Sequence, residues 1–205
     1  MAGTKTTRQF TVPEAAAVLG LSQHEINNAL DRELGSLGLA RIGHGKREIT
    51  ADGLLALELR HALSELLTPQ FRQQVIEDVL EVMGDNAISI MKGCVVVDIV
   101  EHKTKVAQGQ ARLAEAEALV VSDPETMMGE PCITGTRVPV YMIGALAGEH
   151  GVDEAHATYP FLTRRQIELA LVYVTAKPRR GRPKMTQLPE PKGPGRRGTA
   201  KRLQV

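Results

Sequence analysis

The chain has no tryptophan, and only three tyrosines and three phenylalanines among 205 residues. So few rings cannot build the stacking platforms with which proteins hold single-stranded nucleic acid. Cysteine is almost as scarce. Cys94 and Cys132 lack any paired Cys-x-x-Cys spacing, so both are expected as small buried residues, and neither a zinc site nor a disulfide is expected. His24, His44, His61, His102, His150 and His156 form no metal-ligand pair at helical spacing, and no cofactor is expected. No run is apolar enough to span a bilayer, and the polar start Met1–Thr7 has no apolar core of a signal peptide, so a cytoplasmic protein with a disordered beginning is expected. A glycine-rich phosphate loop, metal-spaced acid pairs and a cysteine with a nearby base are all missing, which argues against an enzyme with a small-molecule substrate.

What is present is an uneven distribution of charge. The net charge is +1, yet residues 177–205 hold ten Lys or Arg against Glu190 alone, about +9, which leaves about −8 on residues 1–176. Such an arm either binds something anionic or folds over its own acidic body.

Along residues 9–84, two capping boxes stand out. Thr11 and Glu14, with Pro13 in the first turn, open a helix that ends at Gly20; Ser22 and Glu25 open a second, from Gln23 to about Leu34. That second helix turns Ile26, Ala29, Leu30 and Leu34 inward and Gln23, His24, Asn27, Asn28, Asp31 and Arg32 outward. Leu39–Ile42 and Arg47–Ile49 bracket Gly43–Lys46 as a hairpin, and a helix over 51–67 follows. Helix, tight turn, helix and hairpin resemble the winged helix-turn-helix heads of MerR and excisionase proteins. In that case Gln23, His24, Asn27, Asn28 and Arg32 face the major groove, and Lys46 and Arg47 on the wing reach phosphate. A helical protein-interaction head with a solvated polar face is the alternative.

The helix over 51–67 and another over 70–83 carry apolar stripes that either meet across a homodimer, matching two operator half-sites, or cover each other within the chain. Residues 85–121 read as a hairpin, Ile88–Met91 and Cys94–Val97 around Lys92-Gly93, followed by a polar linker helix from about Glu101 to Leu119.

Residues 122–176 contain Gly129-Glu-Pro-Cys-Ile-Thr-Gly-Thr-Arg-Val-Pro-Val140, then Tyr159-Pro-Phe-Leu-Thr163. Gly129 and Gly135 permit positive φ while Pro131 and Pro139 fix it, so a rigid turn is expected, with Gly135, Thr136, Arg137 and Pro139 as its signature. Val140, Ile143 and Ala147 then repeat at helical spacing up to Gly148 as a C-cap; a short helix fits Asp153–Thr158, and Thr163 with Gln166 caps a third carrying Ile167, Ala170, Leu171 and Val174. The GTRVPV run, with Tyr159-Pro160-x-Leu162-Thr163 and Ala170-Leu171-x-Tyr173, resembles a domain family of predicted antitoxins related to the VapB type. The resemblance implies a homeodomain-like three-helix domain, a PIN-domain (VapC-like) ribonuclease toxin as partner, and a bacterial cytoplasmic host with nucleoid association when DNA is bound.

The tail, 177–205, is expected to be disordered. Arg180-Gly181-Arg182 is an AT-hook-like core suited to the minor groove of A·T tracts. The same residues suit a rival role. VapB-type antitoxins block the toxin's carboxylates with a C-terminal segment, so Arg179, Arg180 or Arg182 can pair there instead. The expected fold is mainly α with small β hairpins: winged head, central hairpin and helix, three-helix domain, basic tail. The expected function is an antitoxin that neutralises its toxin and represses its own operon on double-stranded DNA. A stand-alone winged-helix regulator or nucleoid-associated protein is the alternative.

Overall fold

The computed structural model describes residues 8–43, 46–81, 87–90, 95–125 and 127–179, with the backbone alone for 88–90 and 95. It is mainly helical, with small antiparallel sheets. Both expected capping boxes form, and they set the geometry of the N-terminal unit. Thr11 starts α1 (Val12–Leu19), whose C-cap Gly20 turns left-handed at φ 70°; Ser22 starts α2 (Gln23–Arg32) after two more residues. Ile26, Ala29, Leu30 and Leu34 are buried as expected.

A strand absent from the sequence reading, β1 (Phe10–Thr11), pairs with β3 (Lys46–Ile49), which also pairs with β2 (Ala40–Gly43), so the expected hairpin belongs to a three-stranded sheet of order β1-β3-β2. The chain continues through α3 (Ala51–Ala62), shorter than the periodicity suggested, and α4 (Pro69–Glu81), where the described residues stop. Much of their apolar stripes packs within the chain: Leu54, Leu57 and Leu59 on α3 and Val75, Ile76 and Val79 on α4 all join one core, while Leu66 stays 75% exposed. The hairpin β4 (Ala87–Ile90) and β5 (Val95–Asp98) pairs in antiparallel register; Cys94 and the turn lie outside the described residues.

The helix expected from about Glu101 to Leu119 forms, and besides joining the hairpin to the C-terminal residues it buries one side. Helix α5 (Ile99–Leu119) is 21 residues long, about 30 Å at the α-helical rise, and packs against α1, α3 and α8 (Arg164–Ala176). Val106, Gly109, Leu113 and Ala116 face inward, a stripe of small and aliphatic residues diluted by polar neighbours. At Gly109 the approach is closest, since a Cβ there would lie 2.2 Å from the carbonyl oxygen of Val18.

After α5 come β6 (Val120–Val121), β7 (Cys132–Ile133), α6 (Val140–His150), α7 (Val152–Thr158) and α8. Pro139 is the N-cap of α6. That helix ends at Gly151 (φ 91°), not Gly148, which lies inside it. Ile133, Val140, Ile143, Leu162, Ile167 and Ala170 form a second core. Ala176 at the end of α8 belongs to the first core, so α8 joins the two.

One buried ionic cluster binds α2, α3 and α4. Arg60 donates from Nε and Nη2 to Glu33 Oε1 (3.2 and 2.9 Å), Arg72 from Nε and Nη2 to Glu33 Oε2 (2.9 and 2.7 Å). Arg72, 4% exposed, also donates from Nη1 to the carbonyls of Ser64 and Leu67 at 3.2 Å. Burial pushes the Glu33 carboxyl up, but the two guanidinium partners outweigh it and hold the group below the usual carboxylate range.

Two predictions come from these contacts. Gly109→Ala is expected to lower stability by about 1–3 kcal/mol, the range for overpacking. Gly148→Ala, in an open helical site, is expected to raise it by about 0.5–1 kcal/mol; thermal melts of both variants check this. Because the Glu33 pKa is lowered on folding, its contribution is complete above the unfolded value of about 4.3 and fades as pH falls through the folded value. Glu33→Gln, which leaves the buried Arg72 and the partly exposed Arg60 short of charge, is therefore expected to cost about 1.5–3 kcal/mol at pH 7 and less at pH 3, measured by urea unfolding at both.

Candidate nucleic-acid interface

The outward face of α2 begins where its capping box ends. Glu25 is committed to Ser22, whose backbone N–H and hydroxyl donate to it at 2.8 and 2.7 Å, so it turns away from the helix's outer surface. Gln23, His24, Asp31 and Arg32 are exposed, Asn27 and Asn28 half-buried. Asn28 and His24 hydrogen-bond at 2.9 Å, one helical turn apart.

Asn27 is occupied differently. Arg47, on β3, donates to Asn27 Oδ1 at 3.1 Å and forms an ion pair with Asp31, so one guanidinium clasps two residues a turn apart on α2. This gives Asp31 a partner on the polar face of α2 and engages Arg47 within the chain. The residue fastens the hairpin to α2 and is not an unengaged phosphate contact. What the hairpin leaves exposed is Lys46, Arg41 and Ile42, the last 81% accessible. The sequence reading passed over Arg41 and Ile42 because it treated them only as strand formers.

The signature turn closes mainly on its own hydroxyls and backbone. Thr134 donates from N and Oγ1 to the carbonyl of Leu119 (2.9 and 2.7 Å), and Thr136 Oγ1 donates to the carbonyl of Ile133 (2.8 Å) while accepting from Val138 N (3.1 Å). Gly129 and Gly135 take φ of 79° and 76°. Pro139 bridges to Cys132, which is buried. Arg137 is exposed and makes no ion pair among the described residues, so it does not hold the turn.

The root of the basic arm folds back on the acidic body. Lys177 Nζ donates to Glu14 Oε1 at 2.5 Å and lies 3.3 Å from Glu117, while Arg8 bridges the same two acids. Burial pushes the Glu14 carboxyl up, yet hydrogen bonds from Lys177 and Thr11 prevail and hold it low; burial likewise opposes the charge on Lys177, and Glu14 and Glu117 raise its pKa on balance. Tyr141 OH donates to the carbonyl of Lys177 at 2.8 Å. Arg179 pairs with Glu130 and lies 4.6 Å above the Tyr141 ring. Of the two uses left open for the arm, its first residues take the intramolecular one. Arg180, Gly181 and Arg182 lie outside the described residues.

Between the units opens a cleft of about 700 Å³, lined by Asn27, Lys46 and Arg47 from the N-terminal unit and by Tyr141, Lys177 and Pro178 from the C-terminal one. Three of the expected DNA-facing residues thus meet in one place, while Gln23, His24, Asn28 and Arg32 do not line it. Among the described residues no group of three His, Cys, Asp or Glu is placed to hold a metal ion, and no helix is long and apolar enough to cross a membrane.

Residues 120–174 match DUF433, a protein family of unknown function. They contain β6, β7, α6, α7 and nearly all of α8, so the match coincides with the second core. The uncharacterized protein y4eO of Sinorhizobium fredii is similar, 42% identical over 71 residues; those residues are 34% of this chain, and the chain spans about a third of that relative (32%). No solved structure matches the chain.

Thr136→Val removes both hydroxyl bonds and is expected to lower stability by about 1–3 kcal/mol, whereas Arg137→Ala should stay within about 0.5 kcal/mol of the parent protein. Urea titrations followed by circular dichroism separate the two.

Proposed function

We propose that this chain is a DNA-binding antitoxin: its N-terminal unit reads duplex operator DNA and represses its own operon, and its C-terminal part binds a PIN-domain ribonuclease and blocks it. The observation that carries the DNA half is the pairing of a short helix, buried on one side and presenting Gln23, His24 and Arg32 on the other, with an adjoining hairpin whose exposed residues include Arg41 and Lys46. Helix, left-handed glycine turn, helix and basic hairpin is the order that places one polar helix face in a major groove and cations beside phosphate. The toxin half rests on the resemblance of the GTRVPV turn and its following helices to predicted antitoxins, and on a C-terminal arm near +9 suited to a carboxylate cluster. A homodimer on two half-sites in the bacterial cytoplasm completes the reading. Its basis is operator symmetry, since much of the stripes on α3 and α4 is already covered.

A second reading, a stand-alone DNA-binding regulator without a toxin, draws on one contact. Arg179, a candidate for the toxin's pocket, is already engaged by Glu130 and Tyr141.

The test is a titration of the chain's own promoter fragment across salt concentration, with and without the co-expressed product of the adjacent gene. If the hairpin, α2 and arm neutralise about six phosphates, log affinity falls against log salt with a slope near −5. Asp31→Asn, which releases Arg47 toward phosphate, should tighten binding several-fold; Arg41→Ala should weaken it. A slope near zero sinks the DNA half. A ribonuclease neighbour that neither co-purifies nor loses activity leaves the stand-alone regulator.

A further inference from the structure

The cleft between the two units has features that neither reading uses. Its walls are apolar at Val12, Pro13, Ala176 and Pro178, with the Tyr141 ring beside them, and its volume, about 700 Å³, falls in the range of small-molecule pockets. It lies where two separately packed cores meet, a preferred position for such sites. Among the described residues no acidic side chain lines it, but three cations do: Lys46, Arg47 and Lys177.

Those cations differ in how far they are spent. Arg47 is paired with Asp31, and Lys177 with Glu14 and Glu117, behind the wall. Lys46 is exposed and has no ion pair to a described residue. The lining therefore offers one positive charge without an ion pair to a described residue, beside an apolar and aromatic surface, with Asn27 and Thr11 as polar neighbours. We infer that this cleft binds a small organic monoanion with an apolar, ring-sized body, its charge toward Lys46 and its body against Val12, Pro13 and Tyr141. Under the DNA-binding reading the site is also an effector site, because Asn27, Lys46 and Arg47 belong to both surfaces; the ligand site itself does not rest on that reading.

The test uses the full chain and two fluorescent probes of nearly the same body, the monoanion 8-anilinonaphthalene-1-sulfonate and the neutral N-phenyl-1-naphthylamine. The expected result is saturable binding of the anion at one site, about tenfold tighter than the neutral probe, a preference of the size one partly shielded charge pair supplies. Lys46→Glu should erase the preference and Lys46→Arg keep it, both with parental melting temperatures, since the side chain is exposed. Val12→Trp, which fills the cleft, should abolish binding of both probes. Equal affinity for the two probes overturns the inference, as does a preference unchanged in Lys46→Glu. So does loss of binding in Met142→Ser or Phe161→Ser, which would place the probe on the exposed apolar patch of the C-terminal unit. The readout is probe fluorescence, so it is indifferent to whether the protein binds DNA, and failure of one proposal leaves the other standing.

Discussion

Everything in this fold depends on α5 coming close enough to α1 to bury both. Helices usually pack 8–10 Å apart because side chains intervene, and nearer contact needs a residue with nothing to intervene. Gly109 is that residue, its Cα facing the Val18 carbonyl across a gap that admits no Cβ. With that contact made, α5 seals the N-terminal core with Val106 and Leu113, and its far end delivers Leu119 and Val120 to the second core. Helix α8 returns the connection through Ala176. Two units of separate composition are thus fixed to one another by two helices, which is why a cleft with walls from both can persist.

Legibility in the sequence followed the range of the interaction. Capping boxes at Thr11, Ser22 and Thr163 are contained in four residues each, and all three form as read. The positive φ of Gly135 and the buried stripe of α2 were equally local. Helix α5 was legible as a helix but its packed face was not, because the inward positions include Gly109 and Ala116, which count as neutral in any hydrophobic pattern although their value lies in their smallness. The type of Gly148 suggests a terminator, but that residue stays helical and the positive φ that ends the helix falls at Gly151. Strand β1 has two residues, too few for a period. At the candidate interface the exposure of Gln23, His24 and Arg32 was readable, but the engagement of Arg47 was not, since Asn27 and Asp31 lie 20 and 16 residues away and only the fold brings them together.

The uneven charge has a structural consequence. An acidic body and a cationic arm attract at any distance within a Debye length, but specific contacts decide where the arm starts. Glu14 is central here, since the same buried carboxylate that caps α1 also receives Lys177. Tying a cap to the root of the arm costs little, because Thr11 already holds the carboxylate in place and the lysine adds a charge that compensates its burial. Together with the Tyr141 hydroxyl and the stacked Arg179, this sets the arm's departure point beside the cleft and beside the hairpin, the side from which α2 presents its polar face.

On the proposed DNA-binding reading, Asn27 and Arg47 must choose between each other and the duplex, and magnitudes decide that choice. The Asp31–Arg47 pair is partly exposed, with side chains 54% and 34% accessible, so it is worth no more than about 1 kcal/mol. The charge-assisted hydrogen bond from the Arg47 guanidinium to Asn27, long at 3.1 Å, adds about 1.5 kcal/mol. Against this, a bidentate contact of an asparagine to adenine is worth about 1–3 kcal/mol, and a guanidinium near phosphate gains further from counterion release. The clasp is therefore strong enough to keep the hairpin registered on α2 in the free protein, and weak enough to yield to a correct site. Removing Asp31 shifts the balance toward phosphate on every sequence alike, which raises affinity while eroding discrimination; an acid on that face is then a device for selectivity and not a flaw in it.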